Sequence, residues 1–113
     1  MTHSSSRIVD FKNSEDQKLE VLARATLRRT GAMQAAALRD GTGRTYVARN
    51  IATASFRADA LEAVFTVAMS SQIDSIEAIV LVGVGSINVR PARENTLDCL
   101  IWVVKEDGEL ESL

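Results

Sequence analysis

Glu62 is the carboxylate best placed for proton transfer, because it sits on a largely apolar stretch just after a polar connection. A lone buried carboxylate there would need a raised pKa or a cationic partner. No neighbouring residue supplies one, and Glu62 shares a polar stripe with Thr66, so it reads as a side chain facing solvent or a partner. Cys99 is the only cysteine and His3 the only histidine, and His3 lies in the Ser-rich start Met1-Thr-His-Ser-Ser-Ser6. No internal disulfide or thiolate zinc site can form. Cys99 alternates with Asp98 in an apolar run and reads as a buried structural thiol without an activating base. Gly41, Gly43, Gly83 and Gly85 fit neither GxGxxG nor GxxxxGK[ST] and read as turns. Arg24, Arg28 and Arg29 could grip phosphate or an acidic patch, but their place late in a helix suits its dipole. Trp102 reads as a core or interface residue whose indole N–H wants an acceptor. The inventory predicts no catalytic residue, no cofactor and no metal.

These residues must be positioned by a small chain. At 113 residues, with 46% hydrophobic and 25% charged residues, it has the length and composition of one globular domain. The net charge of −2 and the 4% aromatic content give no footprint for nucleic acid or an anionic membrane. No apolar run reaches the roughly 18–20 residues of a bilayer span, so the expectation is a cytoplasmic protein with a flexible tail over 1–13 and a single domain over 14–113.

Ser14-Glu-Asp-Gln17 has a capping-box pattern opening a first helix that Gly31 stops. Residues 32–39 and 44–49 flank Asp40-Gly-Thr-Gly43 and form a hairpin. Asn50 to Phe56 is a polar connection, with Thr53 and Ser55 as candidate caps, leading to a helix over 57–71. The run 76–84 is a strand covered on both faces. Gly85-Ser86 turns into a further strand over 87–90 that Pro91 ends. Residues 96–105 form the last strand, and a short helix starts at 109–113. Every link between strands is short, which predicts an α+β domain in the order α-β-β-α-β-β-β, with a largely antiparallel five-stranded sheet.

The helix over 57–71 is apolar on two sides. Leu61, Val64, Phe65, Ala68 and Met69 gather on one and suit a sheet, while Ala60, Ala63 and Val67 gather on the other and suit a second copy of the same helix. Asp59, Glu62, Thr66 and Ser70 leave a narrow polar stripe.

The element order, with the 31–41 strand and turn, Ala58-Asp-Ala-Leu-Glu-Ala63, the 79–91 hairpin and Thr96 to Val104, resembles the roadblock or dynein light-chain family of the bacterial gliding-protein regulator type. The resemblance implies a roadblock/profilin-like fold and a non-enzymatic homodimer joined through the second helix and third strand, with Ala60, Ala63, Val67, Ile79 and Leu81 in the interface. It further implies an adaptor that docks a small Ras-like GTPase through Asp59, Glu62, Thr66 and Ser70, and stimulates its GTP hydrolysis in some members.

A second resemblance competes. Asn50-Ile-Ala-Thr-Ala-Ser-Phe56 followed by Ala60-Leu-Glu62 is similar to the start of a cytidine deaminase, with Glu62 at the proton-shuttling glutamate. Ala60 stands where a Cys or His ligand is expected, and no paired cysteines follow Pro91, so this resemblance implies a catalytically dead deaminase-like protein lacking its zinc ligands.

Overall fold

The computed structural model describes Phe11 and residues 13–113; His3 and most of the expected tail lie outside them. Helix α1 (Ser14–Thr30) is capped by the Asn13 side chain, which accepts the Glu15 N–H at 2.9 Å, so Ser14 is the first helical residue rather than the cap. Gly31, at φ 68°, closes the helix in the left-handed conformation. Strands β1 (Gln34–Asp40) and β2 (Thr45–Arg49) form the expected antiparallel hairpin. The connection that follows is itself a small hairpin of β3 (Ile51–Ala52) and β4 (Arg57–Ala58). Helix α2 therefore begins only at Ala60 and runs to Ser70, with Asp59 as its cap in place of Thr53 or Ser55.

The second half departs from the expected antiparallel arrangement. Strand β5 (Ile76–Gly83) is followed by helix α3 (Arg90–Asn95), then β6 (Leu100–Val104) and β7 (Leu110–Ser112). Pro91 starts that helix instead of ending a strand, since its missing N–H costs nothing in a first turn. Ile87 and Val89, which alternate as strand residues would, are half-buried side chains packed on the core beside α3. The helical crossover makes β5 and β6 parallel, so the sheet is mixed, in the order β2-β1-β5-β6-β7. Residues at the end form β7 rather than a helix: Gly108, at φ 88°, turns the chain back, and Leu110 pairs with Val104.

Alternation along the strands builds two cores. Leu19, Ala35, Ala37, Val80 and Trp102 pack beneath α1, whereas Leu38, Leu61, Val64, Ile79 and Ile101 pack beneath α2 and α3. The three successive alanines of β1 leave room for helices on both faces. Asp16, in α1, accepts from the Trp102 indole at 3.1 Å and from Arg39 at 2.7 Å, giving the buried indole its acceptor.

The sheet order removes half of the expected dimer interface. Strand β5 has β1 on one edge and β6 on the other, and Ile79 and Leu81 are buried between the sheet and α2, so no third strand is free to pair with a copy. Ala60 is likewise fully buried in this core.

Candidate functional site

The N-terminus of α2 opens onto a cleft of about 330 Å³, to which Gln34, Asn50, Arg57, Asp59, Glu62 and Ser86 contribute polar groups. This is within the range of small-molecule sites. Its base is a reciprocal cap: Asp59 Oδ1 accepts the Glu62 N–H at 2.8 Å, and Glu62 Oε1 accepts the Asp59 N–H at 2.9 Å. The other oxygens of both carboxylates turn to Asn88, whose backbone N–H donates to Asp59 Oδ2 at 2.7 Å and whose Nδ2 donates to Glu62 Oε2 at 3.2 Å. Gln34, buried in β1, completes the floor. Its Oε1 accepts the Ala60 N–H and its Nε2 donates to the Ser86 carbonyl, each at 3.0 Å.

The loop that approaches this floor depends on two glycines with positive φ. A Cβ on Gly83 would stand 2.1 Å from the Met33 carbonyl oxygen, and one on Gly85 would stand 2.9 Å from Gln34 Nε2.

The expected partner-facing stripe divides. Asp59 and Glu62 are half-buried at the cleft, while Thr66 and Ser70 are exposed and return their hydroxyls to carbonyls one turn back in α2, those of Glu62 and Thr66. Cys99 is buried, with its Sγ 3.5 Å from Arg93 Nη1; burial pushes its thiol up, against the pull of that guanidinium, which suits a structural thiol.

A family model described as cytidine deaminase-like matches residues 12–108. The chain belongs to the cytidine deaminase-like family. No curated protein matches it in sequence. Among solved structures it is similar to a cytidine deaminase from Burkholderia pseudomallei, with a TM-score of 0.69 and 16% identity, covering 86% of this chain and 90% of that one. Family membership overturns the roadblock resemblance and its profilin-like antiparallel sheet. The GTPase-regulator reading falls with it, as does the expectation of a non-enzymatic adaptor, since the family takes its name from an enzyme and the chain shares an enzyme's fold.

Zinc deaminases hold their metal by a His/Cys-x-Glu element and a Pro-Cys-x-x-Cys element, with the glutamate not itself a ligand. Set against that signature, Ala60-Leu61-Glu62 keeps the glutamate, and Pro91-Ala92-Arg93-Glu94-Asn95 keeps the proline. Two methyl groups and a carboxamide replace the three donors. Ala60 and Ala92 are both 0% exposed and belong to the apolar core, while the Asn95 carboxamide lies 4.0 Å from Met69 Sδ. Zinc needs thiolate, imidazole or carboxylate donors, so this set does not fit the metal. No group of three or more His, Cys, Asp or Glu suited to a metal occurs among the described residues.

The sequence singled out Asp59, Ala60 and Glu62 but gave no sign of Gln34 or Asn88. The spacing Asp59-x-x-Glu62 was the available signal, because it marks a cap and fixes both carboxylates at the helix start. Gln34 offered none: a glutamine before three alanines acquires its role only from the crossing of β1 under α2.

Proposed function

We propose that this domain holds a small polar ligand of the cytidine type in the Glu62 cleft, on a deaminase fold that has lost its zinc-dependent step. The observation that carries this reading is the pairing of a retained Glu62 with buried alanines at positions 60 and 92. The cleft supplies donors at Asn50 and Arg57 for ligand oxygens, a hydroxyl at Ser86, and, for an amino group, the lone pairs of Glu62 that do not already accept from Asp59 and Asn88. Titration calorimetry with cytidine, in EDTA and again with zinc, tests it. Saturable binding of equal affinity in both, with no uridine formed in either, is expected. Uridine formation that requires zinc refutes the lost step, and absence of binding refutes the ligand.

A second surface favours self-association through α2 alone. Ala63 and Val67 line an apolar groove of about 350 Å³ with Ile51 and Phe56, and Val67 and Phe56 are 41% and 61% exposed. Apolar surface of this kind suits a partner, and a second copy is the partner proposed.

A further inference from the structure

A metal held by positions 60, 92 and 95 would fasten the start of α2 to α3. In this chain the start of α2 is fastened another way. Gln34 reaches out of β1 in two directions, accepting from the Ala60 N–H and donating to the Ser86 carbonyl. Asp59 and Glu62 take the next residues of the same loop through the two donors of Asn88. Asn88 in turn accepts the Arg90 N–H at 3.1 Å, which carries the connection to the first residue of α3. Three elements that share no covalent neighbour, β1, α2 and the segment leading into α3, are thereby held in one hydrogen-bonded net.

Each link answers a specific need. The Ala60 N–H is one of the free donors of a helix N-terminus and is buried, so without Gln34 it would have no partner. The Ser86 carbonyl is brought to Gln34 by a loop that turns at Gly85, whose φ of 112° disfavours a side chain and where a Cβ would meet Gln34 Nε2 at 2.9 Å. Both Glu62 oxygens already accept a hydrogen bond, one inside its own helix cap and one from Asn88.

We infer that this net performs the structural work that the metal performs in zinc-bearing relatives, and that Glu62 here is a positioning residue that fixes the 85–89 loop. Neither Ala60 nor Ala92 lines the cleft, so the place of the donors is closed by packed protein. The inference rests on these hydrogen bonds and not on the ligand-binding reading.

Thermal unfolding and amide exchange of the full chain test it, with and without one equivalent of zinc. Gln34→Met keeps the length of the side chain and removes both of its links, and should lower Tm by about 4–12 °C. Asn88→Ala lies in a half-exposed loop that the fold tolerates, and should speed exchange of the 86–89 amides about tenfold. Combining Gln34→Met with Glu62→Ala should cost less than the sum of the two, because both hold the same loop. Zinc should raise the Tm of none of them. An unchanged Tm in Gln34→Met, or unchanged exchange in Asn88→Ala, overturns the inference. So does a rise in the Tm of the native chain with stoichiometric zinc. Should Gln34→Met not fold, the exchange rates of Asn88→Ala decide.

Discussion

Asp16→Asn tests the buried polar cluster that fastens α1 to the sheet. Asp16 is 0% exposed and serves two partners, Arg39 Nη2 at 2.7 Å and the Trp102 indole N–H at 3.1 Å. Asparagine can still accept from the indole, but it removes the charge facing a guanidinium that is 93% buried and whose Nη1 has no partner among the described residues. Removing one member of a buried ion pair costs about 3–5 kcal/mol. Glu77 still pairs with Arg39 Nε, and its side chain is 54% exposed, so partial compensation from the solvent side remains. The lower limit, about 3 kcal/mol, is therefore expected. With an unfolding entropy of about 2.1 cal/mol/K per residue, each kcal/mol lowers Tm by about 4 °C at this length, so the midpoint should fall by about 12 °C. That is a large part of the roughly 5–15 kcal/mol that holds such a domain together. Urea unfolding followed by Trp102, the only tryptophan, reads the change directly. Asp16→Leu combined with Arg39→Met should cost less than the sum of the single changes, because an apolar pair can replace a buried ionic one. An unchanged urea midpoint at unchanged slope for Asp16→Asn refutes the assignment.

Two further outcomes follow from other parts of the molecule. Burial alone would push the Asp40 carboxyl up, but the Thr42 hydroxyl, the Arg44 and Thr42 backbone N–H groups and the Arg44 guanidinium outweigh it and hold the group at about 2, below its ordinary 3.8. A lowered folded pKa stabilises above the unfolded value and is lost as pH falls from about 4 to about 2, a contribution of about 2 kcal/mol. Asp40→Asn should flatten that limb of a urea-midpoint profile between about pH 5 and 2, and a limb of unchanged steepness refutes the assignment. Val67→Arg places a charge in the apolar groove and should convert a native dimer to monomer by light scattering. A native chain that is already monomeric, or a variant that remains dimeric, refutes self-association there.

The first half of the fold was legible because its signals are local. Acidic residues early and basic residues late in α1, Gly31 at its end, and a turn composition between two strands each fix one boundary through backbone chemistry close in sequence. The second half required a non-local judgement. The near-continuous apolarity of residues 76–84 correctly required cover on both faces, which is also the mark of an interior strand beside a parallel neighbour. Helix α3 hid that consequence. It has only six residues, and Ile87 and Val89 ahead of it alternate like a strand, so the link to β6 looked too short for a crossover. The apolar excess on α2 is smaller than its sequence suggested, since Ala60 faces the chain's own core; Val67 stays exposed in the groove, and Met69, expected against the sheet, is exposed as well.

The two resemblances differed in the kind of information they carried. The roadblock likeness rested on hydrophobic patterns and turns, which any α+β chain of this length must satisfy in some order, so a good match did not discriminate between topologies. The deaminase likeness rested on Asn50 to Phe56 and on Glu62 two residues after a ligand position, a spacing set by chemistry at one point rather than by hydrophobic pattern. The spacing holds here without the donors. Alanines at positions 60 and 92 pack their methyl groups in the core, and Gln34, Asp59 and Glu62 accept the backbone N–H groups of Ala60, Asn88 and Asp59. The starts of α2 and α3 are therefore joined here by hydrogen bonds and apolar packing. In that junction the Glu62 carboxylate has two partners, the Asp59 N–H and Asn88 Nδ2.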